Sequence, residues 1–409
     1  MARIASANRG RPVLSLVELT VDDLRCIEHA ELHLHPGHNL IWGGNGSGKT
    51  SLLESIFLLG RGRSFRTRNS ERLIRHGRER LVVFGRTAGG KDPGDSTYSD
   101  VGIERLGVGE ADRGGDGDLA RSGAGLGRPG IPGSLTQALG VQVSRADGTI
   151  ARISGATARS LTELTQAFPV QVIDPGVHKL VEEGGHRRRR WMDWAVFHVE
   201  HQFGDWWLRY TRILKQRNAA LRTQPAQVSA WDTELARVGE LIAESRRRFV
   251  ESLLPYWRES VLALSGLEPE LHYFKGWAQD VSLAEALVAS KTRDESKRLT
   301  HPGPHRADVI VRMNGRPARE VLSRGQQKLV AVAMTLAQLN LLQEATQTTP
   351  TLLLDDPAAE LDGDHLRRFI EQVMRLQSQL VLTSLHSESH LFGTPDRVFH
   401  VEQGRVQPV

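Results

Sequence analysis

Cysteine is almost missing from this chain of 409 residues: Cys26 stands alone, so no disulfide framework and no cysteine-based zinc site can form within one subunit. Long apolar runs are missing too. The longest candidate, Leu329 to Leu342, is broken by Thr335, Gln338 and Asn340, well short of the roughly 18 to 20 uninterrupted apolar residues of a membrane span. The opening Met1 to Arg11 is basic but lacks the apolar centre of a signal peptide. These absences predict a soluble, cytoplasmic protein with no membrane partner. Sustained a/d heptads are also lacking, which excludes a long coiled coil.

What is present points to a nucleotide and a polyanion. An apolar content of 39% supports a substantial core in a chain longer than one ordinary domain. A formal charge of +5 and a pI near 9.5 favour a polyanionic partner, although the excess is modest and a local basic face matters more. Gly43-Gly44-Asn45-Gly46-Ser47-Gly48-Lys49-Thr50 is a full G-x-x-x-x-G-K-T phosphate loop. It follows the apolar Asn39-Leu40-Ile41-Trp42 and leads into Ser51-Leu52-Leu53-Glu54-Ser55-Ile56, so strand, loop and helix come in the required order. The glycines let successive N–H groups face the phosphates, Lys49 supplies a point charge, and the Thr50 hydroxyl is a magnesium ligand.

Thr351-Leu352-Leu353-Leu354 is a short apolar run of the kind buried on both faces of a parallel sheet, and Asp355-Asp356 emerge at its C-terminal end. In a phosphate-loop protein the first acid holds Mg²⁺ and the second orients or deprotonates the attacking water. Asp355 is therefore assigned to the metal and Asp356, with Lys49, to catalysis. Ser323 stands 280 positions after Gly43 and 32 before Asp355. It is the candidate N-cap of a strongly helical segment whose exposed amides, with Ser323, Gly325 and Gln326, form a second anion site.

That order resembles the head of ABC-type ATPases, and the details resemble the RecF family. Leu322-Ser323-Arg324-Gly325-Gln326 looks like the RecF form of the signature motif, with Arg where transporters usually carry Gly. Asp355-Asp356 with Ala358-Ala359-Glu360-Leu361-Asp362 is similar to the RecF Walker B and D-loop. Gly62-Arg63-Ser64-Phe65-Arg66, the run from Arg188 to Trp194, Leu214 to Ala219, and Gly303-Pro304-His305-Arg306 extend the likeness over roughly residues 13 to 404. Three places depart from the pattern. Leu24-Arg25-Cys26 stands where Phe-Arg-Asn is expected, His386 comes slightly late for a switch histidine, and Gln171 is only in the region of a Q-loop glutamine.

The resemblance implies an α/β fold, an ABC-type head with an inserted, mainly helical lobe. It also implies a mechanism. Two subunits sandwich two ATP·Mg²⁺, each held by Gly43 to Ser51 of one and capped by Ser323 and Gly325 of the other. This homodimer grips gapped DNA or single-strand/double-strand junctions, and slow, DNA-stimulated hydrolysis releases it. With RecR and RecO, members help RecA replace single-strand binding protein and support SOS induction. A transporter ATPase subunit and an ATPase-coupled nuclease are the alternatives.

The expected organisation is a flexible extension (1–12), the first half of the head (13–190), the helical lobe (191–300) and the second half of the head (301–409). Twelve of the forty glycines fall between 102 and 140, marking a surface insertion at about 88–138 that cannot bury enough apolar area to order itself. The lobe holds seven of the eight tryptophans, expected mainly as core, with stacking on unpaired bases a lesser reading. Candidate DNA contacts are Arg63 and Arg66, the run Arg188, Arg189 and Arg190, and Lys215 with Arg217. His301, His305 and Asp308 have metal-like spacing, but Pro302-Gly303-Pro304 breaks any helix that would align them, so a structural turn is expected.

Overall fold

The computed structural model describes residues 13–90, 136–346, 349–359, 361–387 and 391–409. The N-terminal extension, most of the glycine-rich insertion and Glu360 of the D-loop lie outside the described residues. The first part of the chain forms β1 (Val13–Leu24), β2 (Ile27–His33), β3 (His38–Trp42), α1 (Lys49–Arg61), β4 (Arg80–Gly90), β5 (Thr136–Ser144), β6 (Gly148–Ile153), β7 (Ala156–Thr157), α2 (Leu161–Ala167) and β8 (Val170–Ile173). There follow α3 (Lys179–Glu182), α4 (Gly185–Val199), α5 (Phe203–Thr223), α6 (Asp232–Ser265), β9 (Glu270–Phe274) and α7 (Leu283–Lys297). The last part forms β10 (Asp308–Met313), β11 (Arg316–Pro317), α8 (Ala318–Val321), α9 (Arg324–Thr346), β12 (Thr351–Leu354), α10 (Gly363–Arg375), β13 (Leu380–Ser384), β14 (Arg397–Glu402) and β15 (Arg405–Pro408).

Two large sheets organise these elements. One is antiparallel, in the order β2-β1-β4-β5-β6-β7. The other runs β15-β14-β3-β13-β12-β8 and is parallel from β14 to β8. All four residues of β12 are buried, as its unbroken apolar run requires of a strand covered on both faces. Its period of two divides them: Leu353 joins the core formed with α1 and the antiparallel sheet, whereas Leu352 and Leu354 join the core formed with α9 and the helical lobe.

That second core runs without a break from α9 into the lobe, through Trp191, Trp194, Phe249, Trp257 and Trp277. Four of the lobe tryptophans are therefore core, and Trp206, Trp207 and Trp231 pack against it half-buried. Two elements bracket the expected edges of the lobe. Helix α4 starts at Gly185, and β9 pairs with β10 in a small sheet β11-β10-β9, so backbone pairing crosses residue 300. The longest helix described is α6, at 34 residues. No described helix is long and apolar enough to cross a membrane.

Strands β4 and β5 pair up to Ala88 and Thr136, so the glycine-rich insertion leaves and re-enters the sheet at neighbouring positions.

Candidate nucleotide site

β3 and α1 are joined by the phosphate loop, which the glycines shape. Gly46 and Gly48 have φ of 76° and 119°, in the left-handed region open to glycine, and a Cβ on Gly43 would lie 2.2 Å from the Val401 carbonyl oxygen. Gly43 N donates to Ser384 O and Gly404 N to Ser47 O, tying the loop to β13 and to the β14–β15 turn. Helix α1 has no side-chain cap and no acid in its first turn, so its N-terminal amides keep their field for an anion. The Ser47 Oγ is buried without a hydrogen-bond partner, at the centre of the same cradle. Gly44, Asn45 and Gly46 form the exposed tip, and Ser51 is buried behind it. Lys49 Nζ folds over the loop and donates to Gly43 O at 2.6 Å and Gly44 O at 2.9 Å. Burial lowers its pKa, while the carboxylates of Asp356 and Asp355 pull it back up.

The acids stand opposite. Thr50 Oγ1 donates to Asp355 at 2.9 and 3.1 Å, joining residues 305 apart in sequence. A hydroxyl and a carboxylate in contact are the hard oxygen donors a divalent cation such as Mg²⁺ takes. Thr383 Oγ1 also donates to Asp355 (2.9 Å) and accepts from Asp356 N (2.9 Å), which fixes both acids from β13. Asp356 has a φ of 48°, a conformation costing a non-glycine residue on the order of 1 kcal/mol.

Sequence reasoning missed two neighbours. Thr383 carried no signal beyond its place at the end of an apolar strand. Asp174 follows β8 directly, next to Asp355 across the β8–β12 ladder, where Asp355 N donates to Ile173 O. Burial and the Asp355 charge push its carboxyl up. Its signal was the same as that of Asp355, an acid closing a short apolar strand.

The signature segment begins α9 with a reciprocal cap: Gln326 N donates to Ser323 Oγ (3.3 Å) and Ser323 N to Gln326 Oε1 (3.0 Å). Ser323, Arg324 and Gly325 are exposed, and Arg324 reaches Glu182 at 3.7 Å. No hydrogen bond or ion pair among the described residues joins Ser323–Gln326 to the phosphate loop of the same chain. Arg25 is held by Glu54, buried in α1, to which Ser64 also donates. The Gln171 side chain points into the core, and the His386 ring makes no hydrogen bond among the described residues.

Two of the basic candidates are corrected. Arg188 is buried and bidentate to Asp308 (2.8 and 2.9 Å), with further bonds to Leu180 O and Glu183 O. Arg217 is 1% exposed and bound to Asp232, Asp294 and Thr300. Their charges are satisfied internally and cannot meet DNA phosphates. Arg189 is half-buried and donates to Ala307 O. Arg190 differs: burial and the cations Arg63, Arg187 and Arg68 lower it to about 10, and its buried Nε has no partner. Arg63, Arg66 and Lys215 are exposed. His301 binds Asp294, His305 bridges Tyr210 Oη and Thr300 O, and Asp308 holds Arg188, so the three face different partners in a turn around Gly303 (φ 140°).

The RecF/RecN/SMC N-terminal domain family matches residues 15–103 and 134–407. The chain is 36% identical over 399 residues to the DNA replication and repair protein RecF of Thioalkalivibrio sulfidiphilus, covering 96% of this chain and 99% of that protein. It is 35% identical over 405 residues to the RecF of Cellvibrio japonicus, again covering 96% and 99%. A solved structure of the recombination mediator protein RecF-ATP in the RecFOR pathway superposes with a TM-score of 0.80 at 23% identity, covering 98% of this chain and all of that one. A Pyrococcus furiosus Smc head domain superposes at 0.53 and 13% identity over 97% and 96% of the two chains. With a site built from these motifs and relatives matched nearly end to end, the chain belongs to the RecF family.

Proposed function

We propose that this protein is an ATP-driven DNA clamp of recombinational repair and replication restart. One observation carries the reading: the Thr50–Asp355 pair faces a phosphate cradle whose Ser47 hydroxyl is buried and unpartnered and whose helix start is uncapped. Such a cradle fits a nucleoside triphosphate with Mg²⁺ held by Thr50 and Asp355. Bound Mg²⁺ supplies charge neutralisation along the phosphates. On this reading Lys49 exchanges the Gly43 and Gly44 carbonyls for phosphate oxygens, and Asp356 orients the attacking water. Ser323, Gly325 and Gln326 face solvent in the single subunit and serve the partner subunit's ATP. Asp356 is one methylene shorter than the Glu common at this position, which suits a slow, timed release.

DNA is the polyanion, and gapped or junction DNA the substrate class carried by the resemblance. RecO and RecR are the partners on the same ground, with RecA acting downstream. Arg63, Arg66, Arg189, Arg190 and Lys215 are the contacts to phosphate that remain, and they confer affinity rather than base specificity. Titrating gapped DNA against salt tests this. Arg63→Gln with Arg190→Gln is expected to lower the slope of log K against log salt by about 1 to 2. An unchanged slope would place the DNA on another face.

A further inference from the structure

Arg61 ends α1 buried, and no carboxylate is paired with it among the described residues. Its Nε donates to Val170 O (3.1 Å) and its Nη2 to Gln171 Oε1 (2.9 Å), and its cation lies 4.5 Å from the Trp194 ring centre and 5.3 Å from that of Phe57. Gln171 passes the connection on: its Nε2 donates to Gln338 Oε1 at 2.9 Å, and Gln338 Nε2 donates to Trp191 O at 2.7 Å. Gln171 is in β8, the edge strand of the parallel sheet. One continuous set of hydrogen bonds therefore runs from the end of the phosphate-loop helix, around the sheet edge, to the middle of α9 and to α4.

Two features set this chain of contacts apart from ordinary packing. A buried charge without a counter-charge costs stability that apolar side chains of similar size would not. Its polarity is also fixed from one end. The cation demands the Gln171 carbonyl, which turns the Gln171 amide toward Gln338, whose carbonyl must accept and whose amide must then reach Trp191 O. Neither amide can flip without losing a bond at both ends, so a shift of α1 is passed to α9 rather than absorbed. From Gln338 to the start of α9 is a rigid lever of about 20 Å that ends at Ser323.

We infer that Arg61, Gln171 and Gln338 are positioning residues that transmit nucleotide occupancy at the phosphate loop to the signature helix of the same subunit. The inference rests on reading Ser323–Gln326 as the cap on a partner's ATP. The Asp356→Asn protein is the parent for the test, with hydrogen exchange of α9 measured on dilute, monomeric protein with and without Mg-ATP. Gln171→Glu gives Arg61 a counter-ion while removing the donor to Gln338. It is expected to leave the melting temperature undiminished and the subunit's ATP affinity unchanged, to abolish the response of α9 exchange to ATP, and to weaken ATP-dependent dimerisation by about tenfold. Gln338→Leu, which cuts both later links, loses the same response; should it fail to fold, Gln171→Glu decides alone. A lowered melting temperature in Gln171→Glu, an α9 that does not respond in the parent, or a response kept in the variants overturns the relay. A parent whose α9 responds and whose variants lose that response, but which never doubles in mass, upholds the relay and removes the capped dimer instead.

Discussion

Arg217 shows why a basic residue cannot be assigned from its neighbours alone. In Lys215-Gln216-Arg217 the two cations look alike, yet Lys215 is exposed whereas Arg217 binds carboxylates 15 and 77 positions away. Arg188 likewise finds Asp308 at a separation of 120. Long-range ion pairs leave no local pattern, so these charges read as DNA contacts until the fold is seen. Removing Arg217 takes from the wholly buried Asp294 carboxylate its arginine, leaving it only His301 and Ser290. Arg217→Met is expected to cost about 3–5 kcal/mol in urea unfolding, with the salt slope of DNA binding unchanged. By contrast, Lys49, Thr50, Asp355 and Asp356 were legible because phosphate chemistry demands those residue types at a spacing that is local in each motif. Two buried histidines make the fold sensitive to acid. Burial holds His198 and His305 down to about 4, below their ordinary value near 6.5. Both are neutral in the fold, so between those values the unfolded chain binds more protons. Their contribution is whole above pH 6.5 and is lost as the pH falls toward 4, by about 3 kcal/mol each. Urea unfolding at pH 7.5 and 5 should show the decline; equal stabilities would contradict it.

At the scale of elements, β12 was readable because a strand covered on both faces needs an unbroken apolar run, and Ser323 because a helix start needs a cap. The pairing of β9 with β10, beyond the turn at Gly303, was not readable, because it joins strands more than 30 residues apart with no local pattern. The expected glycine-rich insertion lies mostly outside the described residues, and the pairing of Ala88 with Thr136 brings its flanking strands together. Because those strands meet, loop-closure entropy alone sets what a shorter connection is expected to gain. Replacing residues 91–135 by a short Asn-Gly turn should stabilise the protein by about 2 kcal/mol and leave ATP binding intact. Loss of folding or of ATP binding would give the insertion a role that this topology does not require.

At the scale of the whole molecule, the starts of α1 and α9 stand in different settings. The start of α1 closes a cradle with the acids of its own chain, whereas the start of α9 is capped on itself, exposed, and, among the described residues, joined to no part of that cradle. On the proposed reading a single subunit would hold half of each of two sites, and the clamp would require a second copy. The most direct measurement is the sedimentation mass of Asp356→Asn with Mg-ATP, with and without gapped DNA. Asn tolerates the left-handed backbone at this position, so the fold is expected to be kept while the proposed role of Asp356 in hydrolysis is removed. A mass that doubles only with ATP, and reverts when Ser323→Arg is added, is the expected result. A persistent monomer that binds ATP tightly would contradict it and leave a nucleotide-binding protein without a clamp.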